Sequence, residues 1–418
     1  MKIIIFGIAM LLAVGKISAQ RMCSSFEYQQ QEVKNDPVLL QRIKDIGEFT
    51  LQHQETVASS SINARTTHSN IIKVPVVVHI LYHQAHENIS DALIKRQIDA
   101  LNRDFRRRNS DTSKVPTVYK SRVADCEIEF ELAKVDPKGR ATNGIIHKYT
   151  PISSWEMDDK IKFSSEMGDD SWDSKNYLNI WVGNVRRLLG YSTFPGVAPE
   201  KDGVVLNFSA LATMNSTGTY GMGRTAVHEI GHWLGLRHLW GDADCGDDLV
   251  HDTPKQSGYT TGCPTAVRKS CDNEAGGDMY MNYMDFTNDA CLNMFTVGQK
   301  QRMRSLFSSG GTRHSILFSK ALGAPYVEEI LLPDVPPKWL HVKIFPNPST
   351  TELTLNLEYD PRWVGKELFI TNMLGQVAIR KTISSKLVKI DIRGLKPGLY
   401  FINASRDGEK LRERFVKM

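Results

Sequence analysis

The chain is expected to fold as an α/β layer with a long helix packed beneath its sheet, followed by a separate small β-sandwich. Three observations carry this expectation. Residues 74–81, Val-Pro-Val-Val-Val-His-Ile-Leu, are a β-branched run of the kind that becomes a strand buried on both faces. Two stretches, residues 90–105 and the segment around 226–234, show the helical apolar period. From Leu340 onward, seven short strand-like runs recur between turn signals such as Pro346-Asn347-Pro348 and Lys396-Pro397-Gly398.

Taken in order, the chain begins with Lys2, an apolar run and Ile17-Ser18-Ala19, which reads as a secretory signal over residues 1–19. The run is too short to span a bilayer, and no later stretch is long and apolar enough. Residues 20–65 are polar and poor in aromatics; a helix is expected over 26–51, but the segment lacks the apolar residues for a core of its own and looks like a propeptide. Ser90 is placed to cap a helix ending at Phe105, with Leu93, Ile94, Ile98 and Leu101 on one face. Residues 126–133, 177–182 and 204–208 read as further strands, the last as the sheet edge on which an extended peptide would pair. Cys126 is expected to pack as a small apolar residue, and His79, His83, His86 and His147 to be structural or exposed. A main folded unit over 66–322, a proline-bearing linker over 323–339 and a β-sandwich over 340–418 complete the organisation.

The helix around 226–234 carries the motif His228-Glu229-Ile230-Gly231-His232-Trp233-Leu234-Gly235-Leu236-Arg237-His238. His228 and His232 lie one turn apart on one helix face. Gly235 can take the positive φ that ends the helix and returns His238 as a third nitrogen ligand. Three protein ligands leave a fourth tetrahedral position open, which marks a catalytic zinc, and Glu229 is placed as the general base. With 30 Gly and 12 His in 418 residues, the added Gly and His make a chance match about five-hundredfold rarer than for the five-residue core alone. A thiolate is a good fourth zinc ligand, so Cys23 in the polar leader could silence such a site; the other reading is an idle terminal thiol.

Residues 241–291 change character, with many carboxylates and four cysteines: Cys245, Cys263, Cys271 and Cys291. In a secreted chain these imply two disulfides, with three connectivities possible. Asp247, Asp248, Asp252 and Thr253 crowd one loop and suggest calcium, against the plainer reading of a solvated acidic loop. Removing residues 1–19 leaves 50 basic against 47 acidic side chains, a balance that gives no argument for nucleic acid or membrane binding. From Leu340 on there are 14 basic and 8 acidic residues, a local asymmetry that fits a separate module.

The zinc motif, together with Gly276-Gly277-Asp278-Met279-Tyr280-Met281-Asn282-Tyr283-Met284-Asp285-Phe286, resembles the metzincin metallopeptidases and, within them, the pappalysin family. The resemblance covers about residues 70–320. It implies an α/β (α+β) catalytic domain with a twisted mixed sheet, an active-site helix and a loop-rich lower subdomain. It implies Met284 as a hydrophobic floor below the histidines, disulfides Cys245–Cys271 and Cys263–Cys291, structural calcium beside the first of them, and a cysteine-bearing propeptide. It also implies Asp289 at the base of the S1′ pocket, hence cleavage on the N-terminal side of Arg or Lys, with Ala64-Arg65 as a natural self-activation site. Phe286 departs from the family's usual Tyr, whose hydroxyl helps stabilise the tetrahedral intermediate.

The C-terminal part resembles type IX secretion sorting domains through Ile344-Phe345-Pro346-Asn347-Pro348, Thr371-Asn372-Met373-Leu374-Gly375-Gln376 and Leu395-Lys396-Pro397-Gly398-Leu399-Tyr400. That implies export through the periplasm and the type IX machinery to the medium or the outer surface. The combined expectation is a monomeric, secreted zinc endopeptidase acting on protein and peptide substrates. Two rivals are a thermolysin-like site with Glu274 as third ligand and a weakly active surface adhesin.

Overall fold

β-branched residues with no polar face demand cover on both sides, and the computed structural model gives the central strand that cover. The structure describes residues 23–63, 71–212, 219–273, 276–326, 342–357, 363–406 and 409–418. The expected signal segment, the Ala64-Arg65 bond, Glu274 and most of the expected linker fall outside them. Strand β1 (Ile72–Tyr82) is flanked on one side by β2 (Ile128–Leu132) and β3 (Ile145–Tyr149), both parallel to it and placed end to end. On its other side β4 (Leu178–Gly183) and β6 (Val204–Asn207) continue the parallel array, and β5 (Gly190–Ser192) closes it antiparallel to β6. The sheet is therefore mixed.

Helices α3 (Asp91–Phe105) and α4 (Arg224–Trp233) cover one face, joining Ile94, Ile98, Leu101, Ala226, Val227 and Ile230 to Val76, Val78 and Ile80 in one core. Ser90 caps α3 by accepting from the Leu93 amide, as its position in the sequence predicts. The opposite face buries Trp181, Tyr191 and Val205 beneath Trp155 and Ile161. His79 lies inside, its ring between Asp169 and Asn179, and Cys126 is buried as an apolar residue.

One expectation is overturned. Residues 204–207 are not the edge, because β6 is paired on both sides by β4 and β5. The chain between β4 and β6 doubles back to lay three residues outside β6, and a three-residue strand is too short to show a period in sequence.

The leader also differs from the single helix expected over 26–51. It forms α1 (Ser25–Asn35) and α2 (Pro37–Asn63). Pro37 lacks an amide hydrogen and drives the preceding Asp36 to an extended conformation (φ −131°, ψ 91°), which breaks the helix. Helix α5 (Val297–Ser305), with a Thr296/Gln299 capping box, packs against α2.

The polypeptide divides into two compact units, residues 1–328 and 329–418. In the second, β10 (Val377–Thr382), β9 (Glu367–Asn372), β12 (Gly398–Arg406) and β13 (Glu409–Lys417) form one antiparallel sheet. A second sheet contains β11 (Leu387–Asp391), β8 (Glu352–Asn356) and β7 (Lys343–Phe345). Leu353, Leu355, Val388 and Ile390 from one sheet meet Leu368, Ile370, Ile402 and Phe415 from the other, giving the sandwich.

Candidate active site

Helix α4 is buried along its whole length, including Arg224, His228, Glu229 and His232. Its first turn is held from outside. Asp289 Oδ2 accepts from the amides of Met222 (2.9 Å) and Arg224 (3.2 Å), placing a carboxylate at the positive end of the helix. The Arg224 guanidinium, wholly buried, reaches Asp104 Oδ2 at 3.1 Å and both oxygens of Asp111 at 2.6 and 2.9 Å. Burial would push the Asp111 carboxyl up, but its bonds to Arg224 and Asn109 hold it below the ordinary range.

The other end is a glycine stop. Gly235 has φ +81°, and the amides of Gly235 and Leu236 donate to the carbonyls of His232 and Gly231. The turn returns His238, and three imidazoles meet: His232 Nε2 lies 3.1 Å from Nε2 of both His228 and His238. Their outer nitrogens are each anchored. His228 Nδ1 faces the Tyr283 carbonyl (2.7 Å), His232 Nδ1 the Leu236 carbonyl (2.9 Å) and His238 Nδ1 an Asp242 carboxylate oxygen (2.5 Å). These acceptors carry no hydrogen, so each Nδ1–H donates and each Nε2 turns a lone pair inward. Three buried lone pairs converging at this spacing repel unless a cation sits among them. Tetrahedral zinc, with Zn–N of about 2.0–2.1 Å, needs nitrogens about 3.3 Å apart. Burial and the neighbouring His238 push the His232 imidazole well down, keeping it in the neutral form a metal requires. The donor set fits zinc.

Met284 is fully buried beneath the helix, and a Cβ added at Gly231 would sit 2.5 Å from its sulfur, so the motif's central glycine is what admits this floor. Phe286 packs edge-on to His238 at 4.9 Å, and Trp240 stacks on the same imidazole at 4.4 Å.

The leader enters this site. Cys23 is buried against Trp240 and Phe286, with Sγ 3.5 Å from His232 Nε2 and 3.6 Å from Glu229 Oε2. Cys23 forms a parallel bridge with Gly190 of β5. Ser25, which sequence reasoning did not single out, donates to Glu229 Oε2 at 2.8 Å and accepts from the Ser192 amide at 2.9 Å. The only available hint was its position two residues after Cys23. Arg224 was also missed, though an arginine opening an otherwise apolar helix stretch was a signal for buried carboxylate partners.

Below the histidines, Cys245 pairs with Cys271 and Cys263 with Cys291, with Cα–Cα distances of 5.5 and 5.7 Å, the connectivity that the family resemblance implies. In the acidic loop the candidate calcium ligands point to different partners. Asp248 accepts from Thr253 Oγ1 (2.9 Å to each oxygen), Asp247 from the Leu249 amide, and Asp252 from Thr296 Oγ1 and the Gly298 amide. Among the described residues, these carboxylates do not converge as a set of three. Burial pushes the Asp248 carboxyl up to about 7.

A buried tripod of imidazoles with a carboxylate beside it, beneath a mixed sheet and above a methionine floor, defines a metallopeptidase of the metzincin type. Residues 162–308 match the family described as Pregnancy-associated plasma protein-A, and residues 343–418 match the secretion system C-terminal sorting domain. The chain is 30% identical over 270 residues to an extracellular metalloprotease of Podospora anserina, covering 61% of this chain and 80% of the relative. It is 28% identical over 308 residues to one of Pyricularia oryzae, covering 71% and 94%. Among solved structures it is similar to Tannerella forsythia promirolysin, with 41% identity, TM-score 0.65 and coverage of 73% of this chain and 100% of that one. Mature mirolysin in complex with a cleaved peptide gives 44% identity, TM-score 0.59 and coverage of 61% and 99%. The chain belongs to the pregnancy-associated plasma protein-A peptidases, the pappalysins, and carries a type IX sorting tail. It is a secreted or surface-attached metalloprotease; among the described residues no helix is long and apolar enough to cross a membrane.

Proposed function

We propose that the enzyme is made latent and, once its leader is removed, cleaves peptide bonds on the N-terminal side of Arg or Lys. The observation that carries the catalytic reading is the convergence of His228, His232 and His238, each fixed through Nδ1, with Glu229 on the same buried helix. These three histidines would hold zinc, which supplies Lewis acidity that polarises a carbonyl and makes water a stronger acid. Glu229 takes the proton of the attacking water and passes it to the leaving nitrogen. Outward-facing backbone groups of β5 hold the substrate extended, the role that the sequence alone would have given to 204–208. In the latent form Cys23 would complete the metal's ligand set while Ser25 occupies the base, so both halves of the machinery are blocked. The similarity to promirolysin and to mature mirolysin supports a two-state life of this kind.

The deciding test is proteolysis by protein freed of residues 20–64. Cleavage should be abolished by a zinc chelator and restored by about one equivalent of zinc. Hydrolysis that survives complete metal removal would overturn the reading.

The specificity claim rests on Asp289, whose buried carboxylate also caps α4. An alanine there would confuse the two roles, whereas Asp289→Asn keeps an oxygen to accept the amide hydrogens and removes only the charge. We expect Asp289→Asn to lower kcat/KM for Arg or Lys at P1′ by about ten- to a hundredfold relative to neutral residues, with little change in melting temperature. An unchanged cleavage profile would refute the pocket assignment.

For calcium, the proposal is that the Asp247, Asp248, Asp252 and Thr253 loop gathers around the ion, beginning at Asp248. A carboxyl raised to about 7 binds more protons folded than unfolded across the interval above its ordinary pKa. Stability without calcium therefore falls as pH rises through that interval. Calcium should raise the melting temperature more at about pH 8 than at about pH 6, and Asp248→Asn should remove the difference. An equal calcium effect at both pH values would count against Asp248.

A further inference from the structure

We propose that the slot filled by Tyr28 in the latent form is, in the mature enzyme, a substrate subsite that selects a tyrosine side chain. The inference rests on the reading that β5 receives an extended peptide.

The outer side of β5 already binds chain, since Cys23 bridges Gly190 and Ser25 Oγ accepts from the Ser192 amide. Side chains alternate along a strand. At Gly190 a Cβ would point toward the Glu229 side chain, 3.1 Å from its Cγ. Tyr191 therefore lies on the other face, with Trp181 and Val205. A peptide strand added beside β5 must likewise send alternate side chains to each face. Neighbouring same-face side chains have Cβ atoms about 4.5–5.5 Å apart, so one substrate residue falls next to Tyr191.

The Tyr28 ring now occupies that neighbourhood. It is 1% exposed, its centroid lies 5.2 Å from that of Tyr191, and the Lys162 ammonium sits 5.1 Å from the same centroid. Its hydroxyl donates to Asp159 Oδ2 at 2.7 Å. Asp159 is itself buried and ion-paired to Lys162 at 2.8 Å, and Lys162 also donates to the Lys201 carbonyl. The slot thus has aromatic walls, a cation on the ring face and a carboxylate at its floor. Burial alone would push the Asp159 carboxyl up, but Lys162, Tyr28 and Lys201 hold it below the ordinary range, so it accepts as an anion.

Loss of the leader removes Tyr28 and, with it, a donor to a buried carboxylate. A tyrosine from substrate restores ring packing, the cation–π contact and the hydrogen bond together. Phenylalanine restores only the first two. Discrimination comes from the floor.

The test uses mature wild-type enzyme and peptide libraries varied on both sides of the scissile bond. At one position Tyr should give a kcat/KM about ten- to a hundredfold above Phe, and O-methyltyrosine, which cannot donate, should behave like Phe. Cleaved libraries with no such position would overturn the subsite and leave the endopeptidase intact. If no peptide is cleaved, the endopeptidase reading fails, and competition of the same peptides against a labelled peptide of residues 20–36 decides the subsite by binding. Tyr peptides displacing it no better than Phe peptides would then overturn the inference.

Discussion

Glu229→Ala should reduce proteolysis by the mature enzyme by about a hundredfold to ten-thousandfold while leaving zinc content at one equivalent. Glu229 follows the first histidine on α4, so its carboxylate stands beside the metal position without belonging to the His228, His232 and His238 set. The loss should appear in kcat and in kcat/KM alike, because proton transfer from water occurs only on the way to the transition state. In the latent form Glu229 Oε2 accepts from Ser25. The variant's leader should therefore dissociate more readily, although what it uncovers is inactive. Full activity in a zinc-loaded variant would remove Glu229 from the mechanism.

Arg224→Met is expected to cost about 3–5 kcal/mol of stability, read from denaturant unfolding of the full chain. The guanidinium is wholly buried and faces two carboxylates, Asp104 on α3 and Asp111 just beyond it. A methionine fills much of the volume but strands Asp111 without a cation and leaves Asp104 paired to Arg103 alone. The sign of the pH dependence follows from Asp111. Its folded pKa is depressed, so its contribution is fully present above the unfolded value of about 3.9 and is lost as pH falls through the folded value. Wild type and variant should converge in acid. Adding Asp111→Asn should recover part of the loss at neutral pH, since a neutral amide tolerates burial better than an unpaired anion. A variant as stable as wild type would show that the cluster is dispensable. Arg224 also opens α4, and its Nη1 holds the Asp289 carbonyl at 2.5 Å, so the same change should loosen Asp289, the residue we propose for P1′ selection.

Some of the molecule could be read before any coordinates. Ser90 as a cap, Gly235 as the turn and the two histidines one turn apart are local features, set by spacing and by φ over a few residues. The strands of the sandwich were visible for the same reason, since alternation is written into each run. The fourfold set of cysteines announced disulfides but not their pairing, which depends on where loops far apart in sequence meet. The break at Pro37 is equally local, since the proline lacks an amide hydrogen and restricts Asp36 before it.

The sequence by itself therefore determined the core of the chemistry, three imidazoles and a carboxylate on one helix and its turn, with a label for export, and left open whether Cys23 reaches them. It did so because ligand type, helical period and a glycine turn are short-range properties. Only the tertiary structure decided which strand is the edge, that Ser25 sits on the base, that Arg224 binds two carboxylates from elsewhere in the chain, and that Asp289, expected at the base of the S1′ pocket, accepts from the amides that open α4. Those facts depend on contacts between residues as many as 204 positions apart, as for Ser25 and Glu229. No local period encodes such a contact; packing alone brings the partners together.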